Sequence, residues 1–162
     1  MALNSYGQST NREAQFKAGD VALEKFLQKK FGEEWEKEHL NLNTCLISVT
    51  FARFSIDTAG NITDLKFYEN RTVSPVIQKM LRYAIDATNG QWFPTIENGK
   101  KIQSKLFILP LIYEIEAGCK EPVYNGSIEV LSDLFDFKDG NGNRIMQMNC
   151  TLLSPIHIYS QN

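Results

Sequence analysis

The chain has 162 residues, of which 43% are hydrophobic and 22% are charged. This is the composition of one ordinary globular domain and argues against disorder along the whole length. The formal net charge is −2 and the basic residues are scattered, so we expect no nucleic-acid partner. No apolar run approaches the roughly 20 residues that a membrane-spanning helix needs, so we expect a chain that is not membrane-embedded as given.

The N-terminal residues 1–17 are mostly polar, and we predict that they form a flexible segment. Ser5-Tyr6-Gly7 before Gln8 has the small-x-small form that precedes signal-peptidase cleavage, but the charged and apolar regions of a signal peptide are missing upstream. Two origins therefore stay open: the remnant of a signal peptide, or a polar terminus whose small residues are there by chance.

A first helix is predicted to begin at Asp20, whose side chain can cap it, and to end before Gly32. Its apolar residues at helical spacing are Leu23, Phe26, Leu27 and Phe31. The charged residues 33–39 are expected to form a short exposed helix or a loop.

A second helix is predicted to follow Ser74 and Pro75, an N-cap and a first-turn proline. Val76, Ile77, Met80, Leu81, Ala84 and Ile85 give it one apolar face. We expect it to end at Gly90 in a left-handed conformation.

Residues 45–57 and 62–69 are rich in β-branched and aromatic residues and flank a loop of turn formers, which predicts an antiparallel hairpin. Ile62 lies on one phase and Leu65 and Phe67 on the other, which predicts a bulge in the returning strand. A third strand is expected over residues 102–115. Because Pro110 in its middle has no N–H to donate, we expect this strand at a sheet edge.

Residues 117–162 read as a separate C-terminal extension, with a short helix around Val130, a glycine-rich loop at 139–143 and an alternating strand from Met146. The first strand of the hairpin is apolar on both faces, because Ile47, Val49 and Phe51 alternate with other apolar residues. We expect the extension to pack on the sheet and cover these three residues; a homodimer partner is the alternative.

Over residues 20–115 the chain resembles the C-terminal domain of TonB and its stand-alone relatives in the bacterial envelope, especially those of Bacteroidetes. The hairpin motif that carries the resemblance is Phe54-x-Ile56-Asp57-x-x-Gly60-x-Ile62. The other motifs are Phe26-Leu27-Gln28-Lys29, Trp92-x-Pro94, Asn98-Gly99 and Pro110-Leu111-Ile112-Tyr113. Each motif is weak alone, but their order and spacing are fairly specific. We predict that Trp92 is a core residue and that Asn98-Gly99 turns the chain directly into the third strand.

The resemblance implies an α+β fold in which a three-stranded antiparallel sheet carries two helices on one face, over residues 18–116, with the C-terminal helix-strand extension added to it. It also implies a non-enzymatic protein of the periplasm, or a secreted one, that binds a peptide or protein partner such as an outer-membrane transporter. In TonB the partner pairs along the edge of the last strand, and such an edge offers unpaired backbone groups. On this interpretation Gln103, Lys105, Phe107 and Leu109 contact the partner.

Two departures weaken the resemblance to TonB itself. The chain as given has no transmembrane anchor or proline-rich region, and Asn43-Thr44 stands where relatives often carry a glycine. The alternative function is therefore a structural or assembly module whose last-strand edge is covered and whose surface mediates dimerisation.

We predict no catalytic residues, metal site or cofactor. The histidines His39 and His157 are not placed near Cys45, Cys119 or Cys150 by any local pattern, although a cysteine nucleophile is the enzymatic alternative. Asp139, Asn141 and Asn143 imitate a calcium loop, which fails at Arg144 and Cys150. Cys119 and Cys150 are either disulfide-bonded or two separate thiols.

Overall fold

The computed structural model of the chain describes residues 11–38, 46–67, 75–115, 123–124 and 150–160. The helices are α1 (Asp20–Glu38) and α2 (Pro75–Asp86). The strands are β1 (Gln15–Phe16), β2 (Leu46–Ile56), β3 (Ile62–Phe67), β4 (Trp92–Phe93), β5 (Thr95–Glu97), β6 (Lys100–Ile102), β7 (Leu106–Ile115), β8 (Val123–Tyr124), β9 (Cys150–Leu152) and β10 (Ile156–Ser160). The protein is therefore α+β, as the sequence predicts.

Helix α1 is longer than predicted, because it continues through Gly32 to Glu38. Leu23, Leu27, Phe31 and Trp35 are buried at intervals of four residues, so Trp35 extends the same apolar stripe beyond the glycine. Glycine inside a helix costs only about 1 kcal/mol relative to alanine, and the burial of Phe31 and Trp35 on either side of it offsets that cost.

Helix α2 begins at Pro75, as predicted, and buries the face that its apolar spacing indicates. The helix ends at Asp86 and not, as predicted, at Gly90. Gly90 does have the expected left-handed conformation, with φ of 73°. Its N–H donates to the carbonyl oxygen of Gly60 at 2.9 Å, so the chain leaving α2 is fixed to the loop of the β2–β3 hairpin.

The main sheet has the order β10-β7-β2-β3 among the described strands, with β2 antiparallel to both β3 and β7. The predicted hairpin and its bulge are confirmed. The β2–β3 register shifts between Arg53 and Ser55, and Asp64 on β3 has φ of 56°.

The expected three-stranded sheet is part of a larger one, because the C-terminal strands join it by parallel pairing. Strand β9 pairs with Leu106–Ile108, β10 pairs with Leu111–Ile115, and β8 pairs with the start of β2. The prediction that residues 102–115 form an edge strand is wrong: β7 has neighbours on both sides.

Residues 150–160, called here the C-terminal segment, pair with β7, and this pairing is interrupted at Pro110. Ile108 pairs with Leu152 and Leu111 pairs with Ile156, so two residues of β7 stand opposite three residues of the C-terminal segment. A proline removes only its own N–H from the ladder, and the segments on either side of it remain free to pair. Pro110 therefore causes a local break in a central strand.

The hydrophobic core lies between the helices and one face of the sheet. Both helices and alternate residues of three neighbouring strands share one buried cluster, to which the strands contribute Ala52, Phe54, Ile56, Phe107, Leu109, Leu111, Tyr113, Ile156 and Ile158. The helices therefore lie on the same face, as predicted. Ile156 and Ile158 make the C-terminal segment part of this core.

Phe51 and Ile108 on the opposite face are also buried, although they do not belong to the helix-side cluster, and Val49 is half-buried. What covers them stays a prediction, because the helix expected around Val130 and the loop expected at 139–143 lie outside the described residues.

The last part of the predicted flexible N-terminus is instead paired. Strand β1 is antiparallel to β4, and Arg12 exchanges backbone hydrogen bonds with Ile96 at 2.9 and 2.8 Å. Ala14 and Phe16 are buried. Ala14 and Phe16 alternate with polar residues, and the burial of these two side chains packs residues 12–16 against the rest of the domain. Residues 1–10 lie outside the described part of the chain.

Candidate functional site

The four residues predicted to contact a partner fall into two classes. Phe107 and Leu109 are each 1% exposed and belong to the helix-side core, so their side chains are not available at the surface. Gln103 and Lys105 are exposed and lie between β6 and β7. The structure therefore keeps only this second pair at the surface.

The backbone beyond Lys105 is already engaged. Leu106, Phe107 and Ile108 pair with residues 150–152, and residues 111–115 pair with residues 156–160. The C-terminal segment therefore occupies the side of β7 where strand addition was expected.

Ser104 fixes the position of the two exposed residues. The Ile56 N–H donates to Ser104 Oγ at 2.8 Å, and the Ser104 N–H donates to the Ile56 carbonyl oxygen at 2.8 Å. Ser104 Oγ in turn donates to the carbonyl oxygen of Lys105 at 2.7 Å. Because Ser104 is buried, Gln103 and Lys105 flank a fixed point at the end of β2.

Gln103 and Lys105 line an open cleft of about 230 Å³, which we call the 103–105 cleft. Its other walls come from the N-terminal segment and the β5–β6 hairpin: Asn11, Arg12, Glu13, Thr95, Ile96, Glu97 and Ile102. The hairpin turns at Asn98-Gly99, where both residues have positive φ, and the Asn98 N–H donates to Asn11 Oδ1 at 2.9 Å. The predicted turn thus connects the two strands, β5 and β6, that line one side of the cleft.

Arg12 is the distinctive charged group of the 103–105 cleft. Its guanidinium carbon lies 4.5 Å from the centre of the Phe93 ring, a distance at which a cation is attracted to the ring face. Its Nε is buried with no hydrogen-bond partner. Within the described part of the chain the guanidinium forms no hydrogen bond or ion pair.

The two other cations near Arg12, Lys105 and Lys17, each have a partner. Lys105 Nζ lies 3.6 Å from Glu13 Oε1, with both side chains more than half exposed. Lys17 Nζ also approaches the Phe93 ring, at 6.0 Å, but it donates to the carbonyl oxygen of Gly90 at 2.6 Å. Arg12 is therefore the cation of this group without an acceptor among the described residues.

The β2–β3 loop contacts Trp92, the residue before Phe93, and this contact fixes the backbone next to the Arg12–Phe93 pair. Gly60 has φ of 88°, and a Cβ placed on it would lie 2.3 Å from the Trp92 carbonyl oxygen, so only glycine fits. Trp92 is 2% exposed, and its Nε1 donates to Thr88 Oγ1 at 2.9 Å. The aromatic residue that precedes Phe93 is thus a core residue, as the sequence predicts.

The same loop is closed by Asp57. Its Oδ1 accepts hydrogen bonds from the Ala59 and Asn61 N–H groups, each at 2.8 Å. The backbone hydrogen bond from Asn61 is the main cause that holds the pKa of Asp57 below its usual value. Asp57 therefore acts as a structural acceptor that orients Gly60.

Residues able to support covalent or metal chemistry are not gathered in the described part of the chain. Cys150 is a half-buried free thiol, and Cys119, the other cysteine of the disulfide alternative, lies outside the described residues. His157 is exposed and stacks on Tyr159. Within the described ranges no three histidine, cysteine, aspartate or glutamate residues are grouped to hold a metal; the calcium-like loop lies outside these ranges.

Sequence reasoning missed Arg12, Phe93 and Ser104 as site residues. Arg12 lies in a polar terminus with no local signal, and it enters the cleft only through its pairing with Ile96. Ser104 could have been suspected as an isolated small polar residue between two strand patterns, but its partner Ile56 is 48 residues away.

No helix in the described ranges is both long and apolar enough to span a membrane. The chain matches no family model, no curated protein and no solved structure in the three comparisons made.

Proposed function

We propose that this protein is a non-enzymatic component of the bacterial cell envelope whose TonB C-terminal-like domain binds a peptide or protein partner. The order of elements supports the proposal: helix, hairpin, helix and a strand that returns beside the first strand of the hairpin. The Gly60–Trp92 contact supports it further, because it joins two of the motifs on which the resemblance rests.

The observation that carries the proposed site is the exposure of Gln103 and Lys105 on either side of the fixed Ser104. These residues border a cleft with an unpaired guanidinium, on either side of a serine that is hydrogen-bonded to the end of β2. A partner that paired with β7 itself would first have to remove residues 150–160, and Ile156 and Ile158 would then leave the core. We therefore propose partner contact at the 103–105 cleft, with β7 remaining paired to its own C-terminal segment.

The second candidate is the assembly module whose surface mediates dimerisation. The paired side of β7 favours it, because the position used for strand addition is already filled within one chain. The two candidates differ in what the 103–105 cleft contacts: another protein, or a second copy of this chain.

Site-specific photocrosslinking in the organism that encodes the protein tests both candidates. A benzoylphenylalanine is placed at Gln103, with Lys25 on the exposed side of α1 as the matched control position. Partner binding predicts one discrete heterologous product at position 103, absent at position 25 and lost when Lys105→Glu is added. A product of twice the chain's own mass would favour the assembly module, and equal labelling at both positions would contradict a partner at this cleft.

A further inference from the structure

We propose that the 103–105 cleft recognises a carboxylate of the partner peptide, with the Arg12 guanidinium as the group that binds it. This inference rests on the proposed function and specifies the chemistry of the same site. A guanidinium presents a planar set of donors that matches the two oxygens of a carboxylate. Among the described groups that line this cleft, Arg12 is the cation whose donors have no acceptor.

Phe93 prepares Arg12 for this role. The guanidinium carbon lies 4.5 Å from the centre of the Phe93 ring, a distance at which the ring face attracts a cation, so the ring holds the guanidinium without using its N–H donors. The backbone on both sides of the side chain is fixed by the Arg12–Ile96 hydrogen bonds. The donors are therefore held in place before any ligand arrives, which lowers the entropic cost of binding.

The surrounding acidic groups leave room for a ligand carboxylate. Glu13 is paired with Lys105, and Glu97 stands opposite Lys100 in the hairpin register. The charges that line the cleft balance, because Arg12 and Lys105 stand against Glu13 and Glu97. Lys100 and Lys101, both exposed on the hairpin, make the immediate surroundings net positive. A carboxylate entering the cleft therefore meets a favourable local field.

The size of the cleft indicates what carries the carboxylate. Cavities that enclose whole small molecules usually measure about 300–1,000 Å³, whereas this open cleft measures about 230 Å³. It accommodates one acidic side chain or one chain terminus while the rest of a peptide lies across Gln103 and Lys105. In both cases the group that binds Arg12 is a carboxylate. It comes either from the C-terminus of the peptide or from a glutamate side chain.

The test is a ¹⁵N NMR titration of the full chain with three tripeptides: acetyl-Gly-Gly-Gly with a free C-terminus, its C-terminal amide, and acetyl-Gly-Glu-Gly-amide. We expect the Arg12 Nε–H signal and the Arg12 and Ile96 amides to shift with a free carboxylate and not with the uncharged amide. A shift with the first peptide alone identifies a chain terminus; a shift with the third identifies an acidic side chain. Equal shifts with all three would overturn the proposal.

Two substitutions separate recognition by the guanidinium from general attraction by positive charge. Arg12→Gln is expected to raise Kd at least tenfold, and Arg12→Lys, which keeps the charge but not the planar donors, is expected to raise it by a smaller factor. Lys17→Gln removes a neighbouring charge whose amine is bound to Gly90 and should leave Kd within twofold. If Lys17→Gln weakens binding as much as Arg12→Gln, the Arg12 assignment is wrong.

The outcomes also separate this inference from the proposed function. If Gln103 crosslinks to a partner but no carboxylate binds through Arg12, the carboxylate inference fails and the function stands. If carboxylates bind through Arg12 but position 103 gives no heterologous product, the partner-binding function fails.

Discussion

Replacing Trp92 with alanine tests whether this residue holds the domain together. Its ring centre lies 5.4 Å from that of Phe16, 5.7 Å from that of Phe54 and 6.1 Å from that of Phe107. The indole thus joins the N-terminal segment, β2 and β7. With 2% of its surface exposed, the whole side chain counts as buried.

The expected loss follows from the buried area. An aromatic side chain buries about 150–250 Å², which at about 25 cal/mol per Å² corresponds to roughly 4–6 kcal/mol as an upper bound. Residual compactness of the unfolded chain lowers this by roughly 10–40%. We therefore expect Trp92→Ala to reduce the free energy of unfolding by about 3–5 kcal/mol, in line with other Trp-to-Ala substitutions in cores.

Urea unfolding followed by far-ultraviolet circular dichroism measures this loss as a fall in the midpoint at an unchanged slope. Trp92→Phe is the matched variant: it keeps an aromatic ring but removes the hydrogen bond to Thr88, so its loss should be smaller. Tyr83→Ala, at a partly exposed position of α2, should cost under about 1 kcal/mol. A loss below about 1 kcal/mol for Trp92→Ala would refute the core assignment and would make Trp92 a candidate partner contact instead.

Three further substitutions test the loops that support the cleft. Gly60→Ala should lower the free energy of unfolding, measured in urea, by roughly 2–5 kcal/mol. The alanine would have to adopt a left-handed backbone conformation, and its Cβ would lie 2.3 Å from the Trp92 carbonyl oxygen; a neutral effect would contradict this close approach. Asp57 has a lowered pKa in the folded state, so its contribution is present above its unfolded pKa and is lost as the pH falls through the folded value. Asp57→Asn should therefore flatten the acid limb of the midpoint-versus-pH curve, and an unchanged curve would show that Asp57 does not contribute. Ser104→Ala should cost about 1–3 kcal/mol in the same urea assay, because it leaves the N–H at the end of β2 without an acceptor; a loss within about 0.5 kcal/mol would remove Ser104 as the anchor.

The sequence predicts the helix-side half of this fold well because its signals are local. The face of α2, the bulge near Asp64, the left-handed Gly90 and the burial of Trp92 all follow from spacing or from single-residue conformational preferences. The hairpin at Asn98-Gly99 follows from its turn chemistry, although it joins β5 to β6 rather than leading directly into the long strand.

The position of the C-terminal segment had no such local signal. Parallel pairing joins residues far apart in the chain, and Leu111 and Ile156 are 45 residues apart. Pro110 indicated an edge, whereas the structure places it at a break between two paired stretches of β7. Arg12 was missed for the same reason, because its role depends on a contact with residues more than 80 positions away.

Amide hydrogen exchange on the full chain tests the central claim most directly. The claim is that the chain's own C-terminal segment pairs with β7, so that a partner binds at the 103–105 cleft and not along β7. The account predicts that the amides of residues 106–108 and 111–115 are protected to nearly the global free energy of unfolding. The amides of the exposed residues Gln103 and Lys105 should exchange much faster. Free exchange of the β7 amides that face residues 150–160 would contradict the account and would restore β7 as a vacant site for strand addition.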